Sequence, residues 1–197
     1  MDDRAGMEKV GSGLSERAVT YVAPDRPYAL LDHVLETYKP VGTALEFGVG
    51  SGLSTGIIAA VMPVVGFDSF EGLPEDWRPG FPKGTFRPNT PISRIAAIPN
   101  VQLMIGLYAN TLPRFDFRDY HIGLVHIDCD LYSSTVTVLE NVGWWLRPGA
   151  IVVFDEYHGY EGAELHEQRA WLEWVGEAGV AWTPIAYSIE QLAVRIE

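Results

Sequence analysis

Short, largely apolar runs alternate with helix-period segments along most of the chain. The runs are Thr43–Phe47, Val64–Phe67, Val101–Ile105, Ile122–Ile127 and Ala150–Phe154. They are continuous rather than alternating, as expected of strands buried on both faces of a parallel sheet. Between them lie stretches with helical spacing. Tyr28, Leu30, Leu31, Val34, Leu35 and Tyr38 define one that starts after Pro27 and stops at Pro40–Gly42. Others are Leu53–Val61, Pro91–Ile98 (Thr90 as cap, Pro91 at the first position), Ser133–Leu146 and Glu161–Glu177. Val180–Ala186 and Gln191–Ile196 flank Tyr187–Glu190 as a closing hairpin. The pattern predicts an α/β fold: a three-layer αβα Rossmann-like sandwich with a mostly parallel seven-stranded sheet and an antiparallel C-terminal strand. Residues 1–26 read as a polar arm with a short helix around Ser15–Val22, and residues 27–197 as one domain. In such a sheet ligands bind beyond the carboxyl ends of the strands.

Composition narrows the partners. The 197 residues suit a single domain, and 47% hydrophobic with 20% charged residues is the makeup of a folded protein. No apolar run approaches the roughly 18 residues of a membrane span, and Met-Asp-Asp-Arg is not a secretory start, so no membrane partner is expected. One cysteine, Cys129, permits no internal disulfide, and a cytoplasmic location is expected. A net charge of −12 repels a phosphate backbone, so no nucleic acid is expected either. The acid excess is concentrated after Asp155, as a solubilising face or as the mouth of a cation site. A homodimer or higher homo-oligomer is the expected assembly for this acidic, tryptophan-containing chain.

Two strand ends carry candidate chemistry. The run 43–47 leads into Glu46-Phe47-Gly48-Val49-Gly50-Ser51-Gly52, and Asp68 closes the next run 22 residues after Glu46. Glycines at alternate positions let the backbone turn sharply and approach a ligand, and an acid at the second strand end is placed for ribose hydroxyls. Read alone, the turn is equally a tight strand-to-helix connection. The third glycine arrives one residue earlier than in G-x-G-x-x-G, and Glu46 suits a ligand ammonium better than a pyrophosphate. The combination resembles the class I S-adenosylmethionine-dependent methyltransferases. It makes Glu46, Gly48, Gly50, Ser51, Gly52, Asp68 and Ser69 the candidate donor-binding residues, with Leu107 bordering the adenine by position.

The runs 122–127 and 150–154 end in Asp128-Cys129-Asp130 and Asp155-Glu156. Four carboxylates at one mouth repel one another unless a cation sits among them, and oxygen ligands suit Mg²⁺, Mn²⁺ or Ca²⁺. The structural alternative is that these acids cap helices, Asp130 above all.

Longer motifs sharpen the resemblance. Phe67-Asp68-Ser69-Phe70-Glu71-Gly72-Leu73-Pro74, His126 through Thr135 and Pro148 through Tyr157 look like the macrocin O-methyltransferase family. Gly106 through Pro113 and the ending Tyr187 through Val194 fit as well. The resemblance covers about residues 43–197. It implies methylation of a sugar hydroxyl on a small natural product, with Mg²⁺ held by Asp128, Asp155 and Glu156 and Asp130 as general base. Two departures are visible: Asp155-Glu156 stands where the family usually has Asp-Asp, and the N-terminal region is short. Rival readings are a metal-dependent glycosyltransferase using the D-x-D at 128–130, a catechol-type phenol methyltransferase, a nicotinamide oxidoreductase and a non-catalytic binding module. Residues 70–90, rich in proline, glycine and aromatics around Trp77, read as a lid or a packed surface loop. His158 and His166 are further base candidates, whereas Cys129 reads as a bystander.

Overall fold

The computed structural model describes residues 19–197. Its elements run β1 (Thr20–Tyr21), α1 (Ala29–Tyr38), β2 (Thr43–Phe47), α2 (Leu53–Ala59), β3 (Val64–Asp68), α3 (Ile92–Ala96), β4 (Val101–Ile105), α4 (Tyr108–Thr111), β5 (Ile122–Ile127), α5 (Tyr132–Val142), β6 (Ile151–Phe154), α6 (Glu167–Ala178), β7 (Trp182–Tyr187) and β8 (Leu192–Ile196). One sheet contains all eight strands in the order β1-β7-β8-β6-β5-β2-β3-β4. Only β8 is antiparallel to its neighbours, β6 and β7. This is the expected Rossmann-like αβα sandwich, with the seven expected strands and a two-residue eighth at one edge.

The apolar runs are continuous because both sheet faces are covered. Leu45, Phe47, Val125, Ile127, Val152 and Phe154 point into a core with Val138 and Leu139 of α5 and Trp171 of α6. Their chain neighbours Ala44, Leu124, Ile151 and Val153 pack on Leu30, Leu31 and Val34 of α1 and Ile58 of α2. Every residue of β5 is buried. Fully burying one such Leu or Val contributes about 1.5–3 kcal/mol, so the central strands anchor the loops at their carboxyl ends.

The differences from the sequence reading lie at element ends and in two short added elements, the strand β1 and the helix α4; the helix expected over 161–177 starts only at Glu167, after a 3-10 turn at Ala163–Leu165. Thr20–Tyr21 pairs in parallel with Ala186–Tyr187 instead of closing a helix over 15–22; Val19 and Val22 are not helical either, and residues 15–18 lie outside the described residues. A strand of two residues has no periodicity of its own and exists because an edge is available to it. Pro91 precedes α3 in an extended conformation rather than occupying its first turn. The helix expected over 133–146 ends at Val142 and continues as a 3-10 turn through Trp145. Among the described residues no helix is long and apolar enough to cross a membrane.

Candidate active site

A cavity of about 700 Å³ opens beyond the carboxyl ends of β2, β3, β5 and β6, within the range of small-molecule sites. Its floor is the turn after β2. Gly48 there has φ +101°, and a Cβ on it would lie 1.7 Å from the carbonyl oxygen of Asp128. The turn and the loop after β5 therefore touch backbone to backbone, and only glycine permits it. Gly50 also has positive φ, but the space beside it is open.

Asp68 fastens this turn from the next strand. Its Oδ2 accepts hydrogen bonds from the Val49 and Gly50 N–H groups at 2.9 and 2.8 Å, and its Oδ1 accepts from Phe70 N–H at 2.7 Å. Asp68 still lines the cavity with Gly48, Gly50, Ser51, Ser69 and Leu107, so six of the eight candidate donor residues share one wall. Glu46 and Gly52 do not. Glu46 lies fully buried behind the turn, accepting from the Thr55 hydroxyl and 3.2 Å from Nδ1 of His126. The pleat of β2 turns its side chain to the α1/α2 face, where its hydrogen bonds tie β2 to α2 and β5. Gly52 is the left-handed residue preceding α2, and its α-carbon faces Ile95. Burial alone would lower the His126 pKa, but the hydrogen bond and charge of Glu46, reinforced by Asp155, raise it above the ordinary value.

The acids converge at the opposite wall. Carboxylate oxygens of Asp128, Asp155 and Glu156 all lie within 4.8 Å of one another. β5 pairs with both β2 and β6, which brings these strand ends beside the glycine turn. Burial foremost, then mutual repulsion, pushes the Asp128 and Glu156 carboxyls well above the usual range. Burial likewise raises that of Asp155, against the opposing charge of His126. Oε2 of Glu156 is buried without a hydrogen-bond partner. An orphaned carboxylate oxygen among two further carboxylates fits a hard divalent cation, which would satisfy it and offset the repulsion.

Asp130 stands beside this cluster, 6% exposed, in a left-handed conformation at φ +63°. Such a conformation in a non-glycine residue costs about 1–3 kcal/mol and is held by its surroundings. Burial, then the charge of Asp155, pushes its carboxyl up to about 7 against the opposing influence of Arg78. Asp130 does not cap α5: Leu131 is the residue before that helix, with no side-chain cap. That removes the structural alternative for this acid.

Several wall residues have no signal in the sequence motifs. Tyr28, just before α1, donates its hydroxyl to Asp128 Oδ2 at 3.4 Å, and burial keeps the phenol protonated. Its apolar spacing reads as helix packing, which hides the polar end. Residues 86–89 of the long loop form another part of the wall. The loop is anchored at Trp77, which is 9% exposed in a cluster with Leu73 and Leu131, whereas Phe86 in the wall is exposed. The Arg78 guanidinium sits 4.1 and 4.2 Å from the ring centres of Trp77 and Tyr160. His158 and His166 are not in the cavity wall; their rings lie against Tyr187 and Trp77. Cys129 has its thiol kept protonated, by burial first.

Residues 45–157 match the family model described as a methyltransferase domain. No protein of curated function matches the chain. Among solved structures, the calicheamicin methyltransferase CalS11 is 25% identical, with a TM-score of 0.67 over 85% of this chain and 76% of that one. The O-methyltransferase NovP is 18% identical, with a TM-score of 0.64 over 83% and 75%. TomG from Streptomyces achromogenes, an O-methyltransferase involved in tomaymycin synthesis, is 19% identical with a TM-score of 0.52 over 85% and 77%. With more than half its length matched, the chain belongs to the methyltransferase domain family and is a class I S-adenosylmethionine-dependent methyltransferase.

Proposed function

We propose that this enzyme methylates a sugar hydroxyl of a small molecule with the help of a divalent cation, Mg²⁺ by preference. The observation that carries the reading is the orphaned Oε2 of Glu156 in the Asp128–Asp155–Glu156 cluster, beside Asp130 and in the same cavity as the glycine turn. In this reading Gly48, Gly50, Ser51, Asp68, Ser69 and Leu107 hold the donor, and Glu46 with Gly52 supports the turn. Asp128, Asp155 and Glu156 hold the cation, whose chemistry is to orient the acceptor oxygens and acidify the reacting hydroxyl. The methyl group leaves the sulfonium and bonds to the acceptor oxygen; the S–C electron pair stays on sulfur, giving S-adenosylhomocysteine. The hydroxyl proton passes to Asp130, the buried carboxylate that lines the same cavity beside the cation cluster. The rest of the protein's contribution is alignment for in-line transfer. The sugar acceptor is supported by the likeness to CalS11, described in a second structure as a TDP-rhamnose 3′-O-methyltransferase.

Thermal melting with and without S-adenosylhomocysteine, Mg²⁺ and EDTA tests this reading. A ligand at about 100 times its dissociation constant adds roughly 2.7 kcal/mol of stability, a shift of about 5–11 °C for a domain of this size. Mg²⁺ is expected to add a further increment that EDTA removes. Asp128→Asn should abolish the Mg²⁺ increment but keep the S-adenosylhomocysteine shift. Its metal-free form should melt no lower than wild type, because one charge leaves a buried, mutually repelling cluster. A wild type indifferent to Mg²⁺ would remove the cation from the account.

A further inference from the structure

Glu167 lies outside the cavity wall, yet it connects the two loops that carry the acids. It opens α6, and its side chain is fully buried. Oε1 accepts from the backbone N–H groups of Cys129 and Asp130 at 3.4 and 3.3 Å. Oε2 accepts from the Glu156 N–H at 3.2 Å. One rigid, planar carboxylate therefore bridges the loop after β5 to the loop after β6.

Packing alone gives no reason for an acid here. The inward face of α6 continues as Ala170, Trp171, Trp174 and Val175, and Glu167 occupies the same face one turn earlier. A fully buried carboxylate is costly unless its oxygens are hydrogen-bonded. An apolar residue would avoid that cost but would leave three N–H groups without an acceptor and the two loops untied.

We propose that Glu167 is a positioning residue that fixes the separation between Asp128 and the Asp155–Glu156 pair, and thereby sets the affinity for the divalent cation. This rests on the cation reading above. Groups that orient metal ligands from behind typically change metal affinity by about 10–100-fold when altered. In Glu167→Gln, one oxygen becomes an NH₂ that faces an N–H donor, so one of the two loops loses its tie at nearly constant volume.

The test is titration of the full chain with Mn²⁺, followed by electron paramagnetic resonance, and with S-adenosylhomocysteine by calorimetry. The expected result is Mn²⁺ affinity about 10–100-fold weaker in E167Q, with S-adenosylhomocysteine affinity within about twofold of wild type. Unchanged Mn²⁺ affinity in E167Q overturns the role of Glu167. Parallel loss of both affinities also overturns it, since that is the mark of general unfolding. If E167Q does not fold, Glu167→Asp carries the same pair of expectations, keeping the charge but withdrawing it by one methylene. A wild type that binds no Mn²⁺ overturns the cation reading itself, a failure distinct from an unaffected variant beside a binding wild type.

Discussion

Asp130→Asn is expected to lower turnover by about 10²–10⁴-fold, the range spanned by loss of a positioned general base. The substitution preserves volume and removes the ability to take a proton. S-adenosylhomocysteine affinity should stay within about twofold, because the donor wall is built from the turn after β2, Asp68 and Leu107 on other strand ends. The asparagine also suits the backbone: at φ +63° it is among the residues that best tolerate a left-handed conformation, so the fold should not suffer. Single-turnover methyl transfer with donor and Mg²⁺ saturating checks the effect on chemistry. Near-normal transfer by the variant would assign the proton to another group and reduce Asp130 to a wall residue.

Gly48→Ala should have the largest effect on the fold. Its methyl group would fall 1.7 Å from the Asp128 carbonyl oxygen and 2.7 Å from the carbonyl carbon, both backbone atoms of the neighbouring loop. No rotamer relieves such a clash, and φ +101° is unfavourable for alanine as well. Overpacking at about 1–3 kcal/mol and backbone strain at about 1–3 kcal/mol together predict a loss of about 2–6 kcal/mol. For a chain of this size that is a fall in melting temperature of roughly 4–24 °C. Gly50→Ala is the internal comparison: nothing lies within 4 Å of its Cβ position, so only the conformational cost applies. Differential scanning calorimetry of the two variants should separate them clearly. Equal melting temperatures would mean that the two loops do not meet as described. Because the displaced loop carries Asp128, Gly48→Ala should also weaken the cation site, although no acid has been changed.

The parts of this molecule that could be read from the sequence are those with strong local signals. A strand buried on both faces writes a run such as Ile122–Ile127, and an acid directly after such a run must sit at a strand end, where the fold binds ligands. Asp68, Asp128, Asp155 and Glu156 line the cavity for that reason. Glu46 shows the limit of that logic. It belongs to the same motif as the glycines, but strand parity sends it to the α1/α2 face, where His126 and Thr55 take its oxygens. Tyr28 and Glu167 were hidden for the opposite reason. Each belongs to a helical pattern, and its polar role depends on elements 100 and 38 residues away, respectively. Glu167 did leave a trace: an acid in register with Ala170, Trp171 and Trp174 breaks an otherwise apolar helix face. The strand Thr20–Tyr21 left none, because its pairing depends wholly on β7 at the far end of the chain.

The most direct test of the central claim is anomalous X-ray scattering from crystals grown with Mn²⁺ and S-adenosylhomocysteine. The account predicts one strong Mn²⁺ peak bounded by carboxylates of Asp128, Asp155 and Glu156, with S-adenosylhomocysteine lying along the Gly48–Ser51 turn in the same cavity. S-adenosylhomocysteine bound there without any Mn²⁺ at the three acids would contradict it, leaving a methyltransferase whose acidic cluster serves some purpose other than holding a cation.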